Sequence, residues 1–422
     1  MNHRKYKFID LFAGAGGLSE GFVAHGEFVP IAHVEMNKDA ADTIKTRSCY
    51  YYLKENNQYS IYRKYLKAEI TREQLYNSVP AGLLDSVINS EISSANVGDI
   101  FAIIDDIIEA HELGEIDLII GGPPCQAYSL MGRAVDAKNM RRDPRNYLYK
   151  QYIKFINHYR PRAFVFENVP GILTADGGKR FQQIIGAFRI AGYTVEYRIL
   201  DAYDYGVLQQ RKRVIIFGWR NDFPYHFPMP QQVYYNVTVN ALLRDLMPLH
   251  PGQENNRYIL PISRYLRETG IRKPHDILTL HLCRIHNDVD LEIYHRVITA
   301  WNTNHSRLKY YDLPDNLGTR KNKTSFVDRY KVVAGDSEYS HTMIAHIAKD
   351  GHYFIHPDID QCRSISVREA ARIQSFPDDF FFEGSRSAKF TQIGNAVPPL
   401  MAKAIAARIA NMFDEGVDHN AD

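Results

Sequence analysis

Along the first half of the chain, apolar runs alternate with amphipathic segments, and the alternation predicts strands and helices in turn. Tyr6 to Phe12 reads as a strand, followed by a glycine-rich turn and a helix to about Ala24. A second strand is predicted over Phe28 to Val34. Ile116 to Ile120, broken only by Asp117, has the near-continuous apolar character of a strand covered on both faces of a parallel sheet. Further strands are predicted over Ala163 to Phe166, Thr194 to Leu200 and Val214 to Trp219, with helices over Asn146 to His158 and Gly178 to Ala191. From about Asp222 to Gln361 this rhythm stops, and prolines, tyrosines and most of the histidines gather without a repeat. It returns in Arg363 to Pro377, where Ser366 and Glu369 have capping-box spacing and Val367, Ala370, Ala371 and Ile373 share one helical face. A last helix is predicted over Leu400 to Met412.

Strand–helix alternation of this kind implies an α/β fold on a mostly parallel sheet, here Rossmann-like, with a second, smaller domain. The expected division is an α/β domain over 1–221, a smaller domain over 222–361, and residues 362–422 returning to the first. Within the first part, Ser48 to Asn96 is rich in Tyr, Lys and Glu, with Ile61, Tyr65, Leu66, Ile70 and Leu75 at loosely helical spacing. It reads as a helical insertion (48–96) with a solvated surface.

Composition narrows the class without changing this picture. The chain has 422 residues, 45% apolar and 24% charged, which suits a soluble globular protein with room for two domains. No apolar run approaches the roughly 20 residues that a membrane helix needs. Asp10 and Glu20 interrupt or follow the only stretch that could imitate a secretory signal. The formal net charge is +2, so a nucleic-acid surface has to come from local clusters and not from bulk charge. Cys49, Cys125, Cys283 and Cys362 lie far apart, which suggests a reducing compartment and no disulfide framework. His281-x-Cys283-x-x-His286 offers three ligands without a matching fourth, and no metal is expected.

Candidate chemistry sits where predicted strands end. Gly121-Gly122-Pro123-Pro124 forces an abrupt, rigid exit from the strand and places Cys125 at its carboxyl end, where open α/β sheets bind ligands. A thiolate there is a strong nucleophile. Glu167 ends the strand Ala163 to Phe166 in Glu167-Asn168-Val169-Pro170-Gly171, and a carboxyl beside a thiolate suits covalent addition to an electron-poor ring, the acid protonating a ring nitrogen. Arg211 and Arg213 open the strand of Val214 and alternate onto one face, where they could bind a pyrimidine carbonyl and its phosphate. The turn Ala13-Gly14-Ala15-Gly16-Gly17 departs from the dinucleotide fingerprint, since Ser19 stands in the place of the third glycine. With Glu35 ending the second strand, it fits an adenosine head without phosphates, as in S-adenosyl-L-methionine. Basic clusters over Arg133, Arg141 and Arg142 and over Arg320, Lys321, Lys323 and Arg329 are candidate phosphate contacts.

Phe8-Ile9-Asp10-Leu11-Phe12-Ala13-Gly14-Ala15-Gly16-Gly17, Pro124-Cys125-Gln126, Glu167-Asn168-Val169, Gln209-Gln210-Arg211-Lys212-Arg213, the segment Arg363 to Pro377 and Gln392 to Pro399 resemble, in order, motifs of the DNA cytosine-5 methyltransferases. The resemblance spans Phe8 to Pro399. It implies methyl transfer from S-adenosyl-L-methionine to C5 of a flipped-out cytosine in double-stranded DNA through a covalent bond from Cys125 to C6. It assigns Cys125, Glu167, Arg211 and Arg213 to catalysis. Phe12, Ala13, Gly14, Gly16, Gly17, Leu18, Glu35, Met36, Asp99, Ile100, Pro124, Leu148, Asn395 and Val397 would form the cofactor site. Gln126, Ser129, Arg133, Arg141 and Arg142 would join the basic middle cluster on DNA, and residues 222–361 would be the target recognition domain. A bacterial, cytoplasmic, monomeric modification enzyme, paired with a restriction endonuclease for the same site, is the implied setting. Three other classes stay open: a tRNA cytosine-5 methyltransferase, a catalytically silent DNA-binding protein on this scaffold, and a Rossmann dehydrogenase.

Overall fold

A computed structural model of the chain describes residues 5–124, 147–318 and 327–418. Seven strands form one sheet: β1 (Tyr6–Leu11), β2 (Phe28–Val34), β3 (Val87–Ile88), β4 (Leu118–Gly121), β5 (Ala163–Asn168), β6 (Tyr193–Asp201) and β7 (Lys212–Arg220). Their order is β3-β2-β1-β4-β5-β7-β6. Neighbours from β3 through β5 run parallel, and β7 runs antiparallel to both β5 and β6. The order reverses between β1 and β4, so a crevice opens above their carboxyl ends. The fold class expected from the strand–helix rhythm is the one observed.

Helices cover both faces, which is why the central strand β4 is apolar at every position. On one face α6 (Val97–Ala110), α7 (Leu148–Tyr159) and α8 (Lys179–Ile190) pack Ile104, Phe155 and Phe188 against Ile9, Ile119 and Phe164. On the other, α1 (Gly17–His25) and the last helix (Pro399–Asp418) pack Phe22, Met401 and Ile405 against Phe8, Ile120 and Val165. The Tyr152 hydroxyl lies within hydrogen-bond distance of both the Ile119 and Val165 carbonyls, at 3.1 and 3.0 Å, at the β4–β5 pair.

The segment expected as a solvated insertion is built differently. Ser48 falls inside α2 (Lys38–Glu55), and α3 (Tyr59–Leu66), α4 (Arg72–Tyr76) and α5 (Ala81–Asp85) come before the edge strand β3. Tyr50 and Tyr62 are buried with Cys49, Leu53, Leu66 and Leu75 in a core of their own, against which Phe381 packs. The tyrosines therefore face inward, because a phenol can bury its ring and still satisfy its hydroxyl. Tyr62 does so by donating to the Asp379 carbonyl at 2.8 Å.

The middle of the chain holds α9 (Arg264–Glu268), α10 (Asp288–Asn304), short 3₁₀ turns and isolated β-bridges, with no named strand among the described residues. Its core is continuous with α11 (Val367–Ile373) and α12 (Arg386–Asn395): Leu242, Leu266, Phe354, Ala370, Phe376 and Ile393 form one cluster. The last helix is α13. Ser366 and Glu369 do form a capping box at the start of α11. The polar side of α11 is not solvated, however. Arg363, Arg368 and Arg372 are all buried, and Arg363 meets Glu369 through two bonds of 2.8 Å.

Burial also fixes an acid limit. Desolvation holds the His33 and His356 imidazoles at about 4, while an unfolded chain titrates near the ordinary value of about 6.5. Between those values the unfolded state binds more protons, so each histidine costs stability as pH falls from about 6.5 toward 4, at up to about 1.4 kcal/mol per pH unit. His33→Leu should flatten that slope in urea unfolding at pH 7, 6 and 5. A wild-type and variant pair with parallel profiles would contradict it.

Candidate active site at the carboxyl end of the sheet

β4 and β5 lie side by side, with Gly121 opposite Phe166, so the segments that leave the two strands meet at the sheet's tip. A Cβ on Gly122 would stand 2.6 Å from both the carbonyl oxygen and Oε2 of Glu167. Only a glycine lets the chain pass that carboxylate so closely. Asn168 Nδ2 donates to the Pro123 carbonyl at 3.4 Å, a long bond that ties the two segments together. Pro124 is exposed and is the last described residue before Cys125. Cys125 itself, Gln126, Ser129, Arg133, Arg141 and Arg142 lie outside the described residues, as do Arg320, Lys321 and Lys323.

Glu167 is mostly buried, and its Oε1 accepts from Arg213 Nε at 2.7 Å. Arg213 sits at the start of β7, the antiparallel neighbour of β5, and so reaches the carboxyl end of that strand. Arg211 is buried like Arg213, with exposed Lys212 between them, but meets different partners. It is fully buried, with Nη2 donating to the Gly394 and Ala396 carbonyls at 3.1 and 2.9 Å and Nη1 to the Met343 carbonyl. Arg211 precedes β7, and backbone carbonyls from two later segments capture its guanidinium.

The first turn crosses the top of β1. Phe12, Gly14 and Gly16 have positive φ of 56°, 57° and 77°, and Gly16 caps α1. Gly14 N–H donates to Glu35 Oε2 at 2.8 Å, and Asn37 N–H donates to Oε1 at 2.7 Å, so the Glu35 carboxylate is fixed from both sides. Its burial raises the carboxyl above the ordinary value, and those N–H groups pull against that rise. Met36 beside it is 62% exposed. Asp99 is exposed in the first turn of α6, Ala13 is half-buried on the loop, and Leu148 is half-buried at the start of α7. No atom lies within 4 Å of a Cβ built on Gly14, so the loop leaves open room there. A fixed carboxylate that can accept ribose hydroxyls, beside an exposed apolar side chain, suits a nucleoside.

Several other expected contacts are packed against protein. Gly17 serves the returning chain, since a Cβ on it would stand 2.4 Å from the Val397 carbonyl. Leu18, Ile100 and Val397 point into the sheet's two apolar cores, with Ile100 at 1% exposure. Asn395 ends α12 exposed. Arg329 pairs with Asp350 at 2.9 Å with its side chain largely buried, so the Asp350 carboxylate takes the charge offered to DNA. His281 meets Ser366 Oγ at 2.9 Å and the Met247 carbonyl at 2.7 Å, Cys283 Sγ donates to the His250 carbonyl at 3.0 Å, and His286 meets Ser364 Oγ at 3.0 Å. Sequence reasoning missed the buried pair Gln209 and Gln374, joined at 2.8 Å, because nothing in a lone glutamine's position predicts which carbonyls will surround it.

The family model "C-5 cytosine-specific DNA methylase" matches residues 6–80 and 88–411. The type II methyltransferase M.Bpa9945I of Bacillus paralicheniformis is 40% identical, over 96% of this chain and 99% of that protein. The type II methyltransferase M.AgeI of Thalassovita gelatinovora is 29% identical over 96% and 99%. Among solved structures, a protein described as a DNA modification methyltransferase encoded within an E. coli prophage matches with a TM-score of 0.65 at 22% identity, over 97% of this chain and 100% of that one. The Entamoeba histolytica methyltransferase EhMeth matches with a TM-score of 0.54 at 14% identity, over 98% and 99%. These two likenesses bear on the fold. The family match spans the sheet, the Glu167–Arg213 pair and α11 to α13, and the chain belongs to the C-5 cytosine-specific DNA methylase family as a DNA (cytosine-5-)-methyltransferase.

Proposed function

We propose that this enzyme methylates C5 of one cytosine in a specific duplex sequence, with Cys125 as covalent nucleophile, Glu167 as the acid at N3 and Arg213 as the residue that holds both Glu167 and the base. The observation that carries the reading is the Arg213–Glu167 pair, with Glu167 packed against Gly122, three residues before Cys125 in sequence. The target ring has to leave the stack, since neither face of C6 is open to a side chain inside the duplex. Cys125, as thiolate, forms a bond to C6. Glu167 supplies a hydrogen to N3 as the ring's electron pair moves, and C5 becomes the nucleophile. After C5 is methylated, loss of its proton restores the double bond and expels the thiolate. Arg213 occupies Oε1, which leaves Oε2, on the Gly122 side, for the ring nitrogen.

S-adenosyl-L-methionine, when bound, supplies an electrophilic methyl group. Phe12, Ala13, Gly14, Gly16, Glu35, Met36 and Asp99 would hold it from the sheet side, and Pro124, Leu148 and Asn395 would close the crevice. Residues 1–221 and 362–422 are read as the catalytic body and 222–361 as the target recognition domain. The relatives are named type II methyltransferases, which favours a modification enzyme beside a restriction endonuclease for the same site; the enzyme is read as bacterial, cytoplasmic and monomeric.

Glu167→Gln tests the acid. It keeps the shape and the Arg213 contact but cannot deliver the proton, so kcat should fall by about 10²- to 10⁴-fold with duplex and S-adenosylhomocysteine affinity retained. Turnover near the wild-type rate would move the acid to another residue.

A further inference from the structure

The end of α12 cannot satisfy its own carbonyls. Ala396 N–H reaches the Ile393 carbonyl at only 3.3 Å, and the following Val397-Pro398-Pro399 brings two prolines without N–H groups. The missing donors come from side chains far away in sequence. Gln374 Nε2 donates to the Ile393 and Ala396 carbonyls at 2.6 and 3.3 Å. Arg211 Nη2 donates to the Gly394 and Ala396 carbonyls, those of the residues on either side of Asn395. Gln209 links the set, donating to Gln374 Oε1 at 2.8 Å while its own Oε1 accepts from Met343 N–H at 2.7 Å. Gln209, Arg211 and Gln374 are all 0% exposed, whereas Asn395 is exposed. The positive guanidinium also complements the negative end of α12. Two residues along the chain from Arg211, Arg213 holds Glu167.

We propose that Arg211 is a positioning residue: by gripping the carbonyls of the two residues on either side of Asn395 it sets the donor-facing segment in register with the Arg213–Glu167 pair, and it touches neither DNA nor methyl donor. A lysine keeps the charge but lacks the planar fork, so it cannot hold the carbonyls of Met343, Gly394 and Ala396 together. The link to donor binding rests on the reading of Asn395 as a contact to S-adenosyl-L-methionine.

Three proteins test this by calorimetry with S-adenosylhomocysteine and by amide exchange of the ligand-free full chain: Arg211→Lys, Asn395→Ala and the double variant. Each single variant should weaken S-adenosylhomocysteine binding by about tenfold, and the double variant should be little weaker than either alone, because both losses act through Asn395. Exchange across residues 394–397 should accelerate in Arg211→Lys, while affinity for duplex DNA stays at the wild-type value. Unchanged S-adenosylhomocysteine affinity with weakened DNA binding would make Arg211 a substrate contact and overturn the proposal, as would unchanged exchange across 394–397. Should Arg211→Lys not fold, Arg211→Gln removes the charge and the fork while keeping an amide donor; unchanged affinity and exchange there overturn the proposal equally. Wild-type protein that binds no S-adenosylhomocysteine would instead defeat the donor assignment, and the exchange result would still decide whether Arg211 holds the segment.

Discussion

Cys125→Ala should abolish methyl transfer while leaving the fold, duplex binding and S-adenosylhomocysteine binding intact. The expectation comes from the ring chemistry. C5 of cytosine is a poor nucleophile until a group adds at C6, and a thiolate is the side chain best suited to make and then break that bond. Alanine removes the sulfur with little change in volume, and the residues just before it, Gly122 and Pro123, are held by their own contacts to Glu167 and Asn168. Removing the nucleophile should cost more than removing the acid, whose share is about 10²- to 10⁴-fold, because the covalent route closes altogether. Labelled-methyl incorporation into duplex DNA gives the rate. A duplex carrying 5-fluorocytosine gives an independent readout, since the fluorine cannot leave as the C5 proton does and the adduct persists. Mass spectrometry should place the adduct on Cys125 in wild-type enzyme and find none in Cys125→Ala. Residual turnover in the variant, or an adduct on a different residue, would end the covalent role of Cys125.

Arg372→Met should give a larger loss of stability than any surface substitution. Arg372 Nε and Nη2 donate to Asp378 at 2.8 and 2.7 Å, Nη1 donates to Asp245 at 2.6 Å and to the Leu242 carbonyl at 2.8 Å, and all three charged residues are buried. The arginine thus joins α11 to the middle region and to the turn after α11. Its removal leaves two buried carboxylates short of a partner. Arg272 at 2.6 Å from Asp245 and the Tyr258 hydroxyl at 2.7 Å from Asp378 offset part of the deficit. A loss of about 3–5 kcal/mol is expected, because breaking a buried pair from one side strands the other charge. Arg264→Ala is the control: its partner Glu268 lies at 2.7 Å, yet the arginine side chain is 89% exposed, and such surface pairs contribute little to stability. Urea unfolding of both variants decides it. Equal, small losses would mean that the α11 arginines are not held as tightly as their distances imply.

What the sequence determined by itself was everything carried by local pattern. Continuous apolar runs such as Leu118 to Ile120 specified strands covered on both faces, and these proved to be central strands of the sheet. Ser366 and Glu369 specified a helix start. Short ordered motifs specified the family, since a strand end can display only the few residues next to it, and those are neighbours in sequence. Tertiary structure decided what each polar side chain meets. Arg211 and Arg213 are two residues apart, yet one is enclosed by carbonyls from Met343, Gly394 and Ala396 and the other holds Glu167. The tyrosines of α2 and α3 suit a solvated helix by composition but turn inward on Phe381, and Arg329 suits a phosphate contact but meets Asp350. Apolar burial is non-directional and tracks periodicity, whereas a hydrogen bond or ion pair needs a particular partner within about 3 Å, and only the assembled fold brings residues more than a hundred positions apart to that distance.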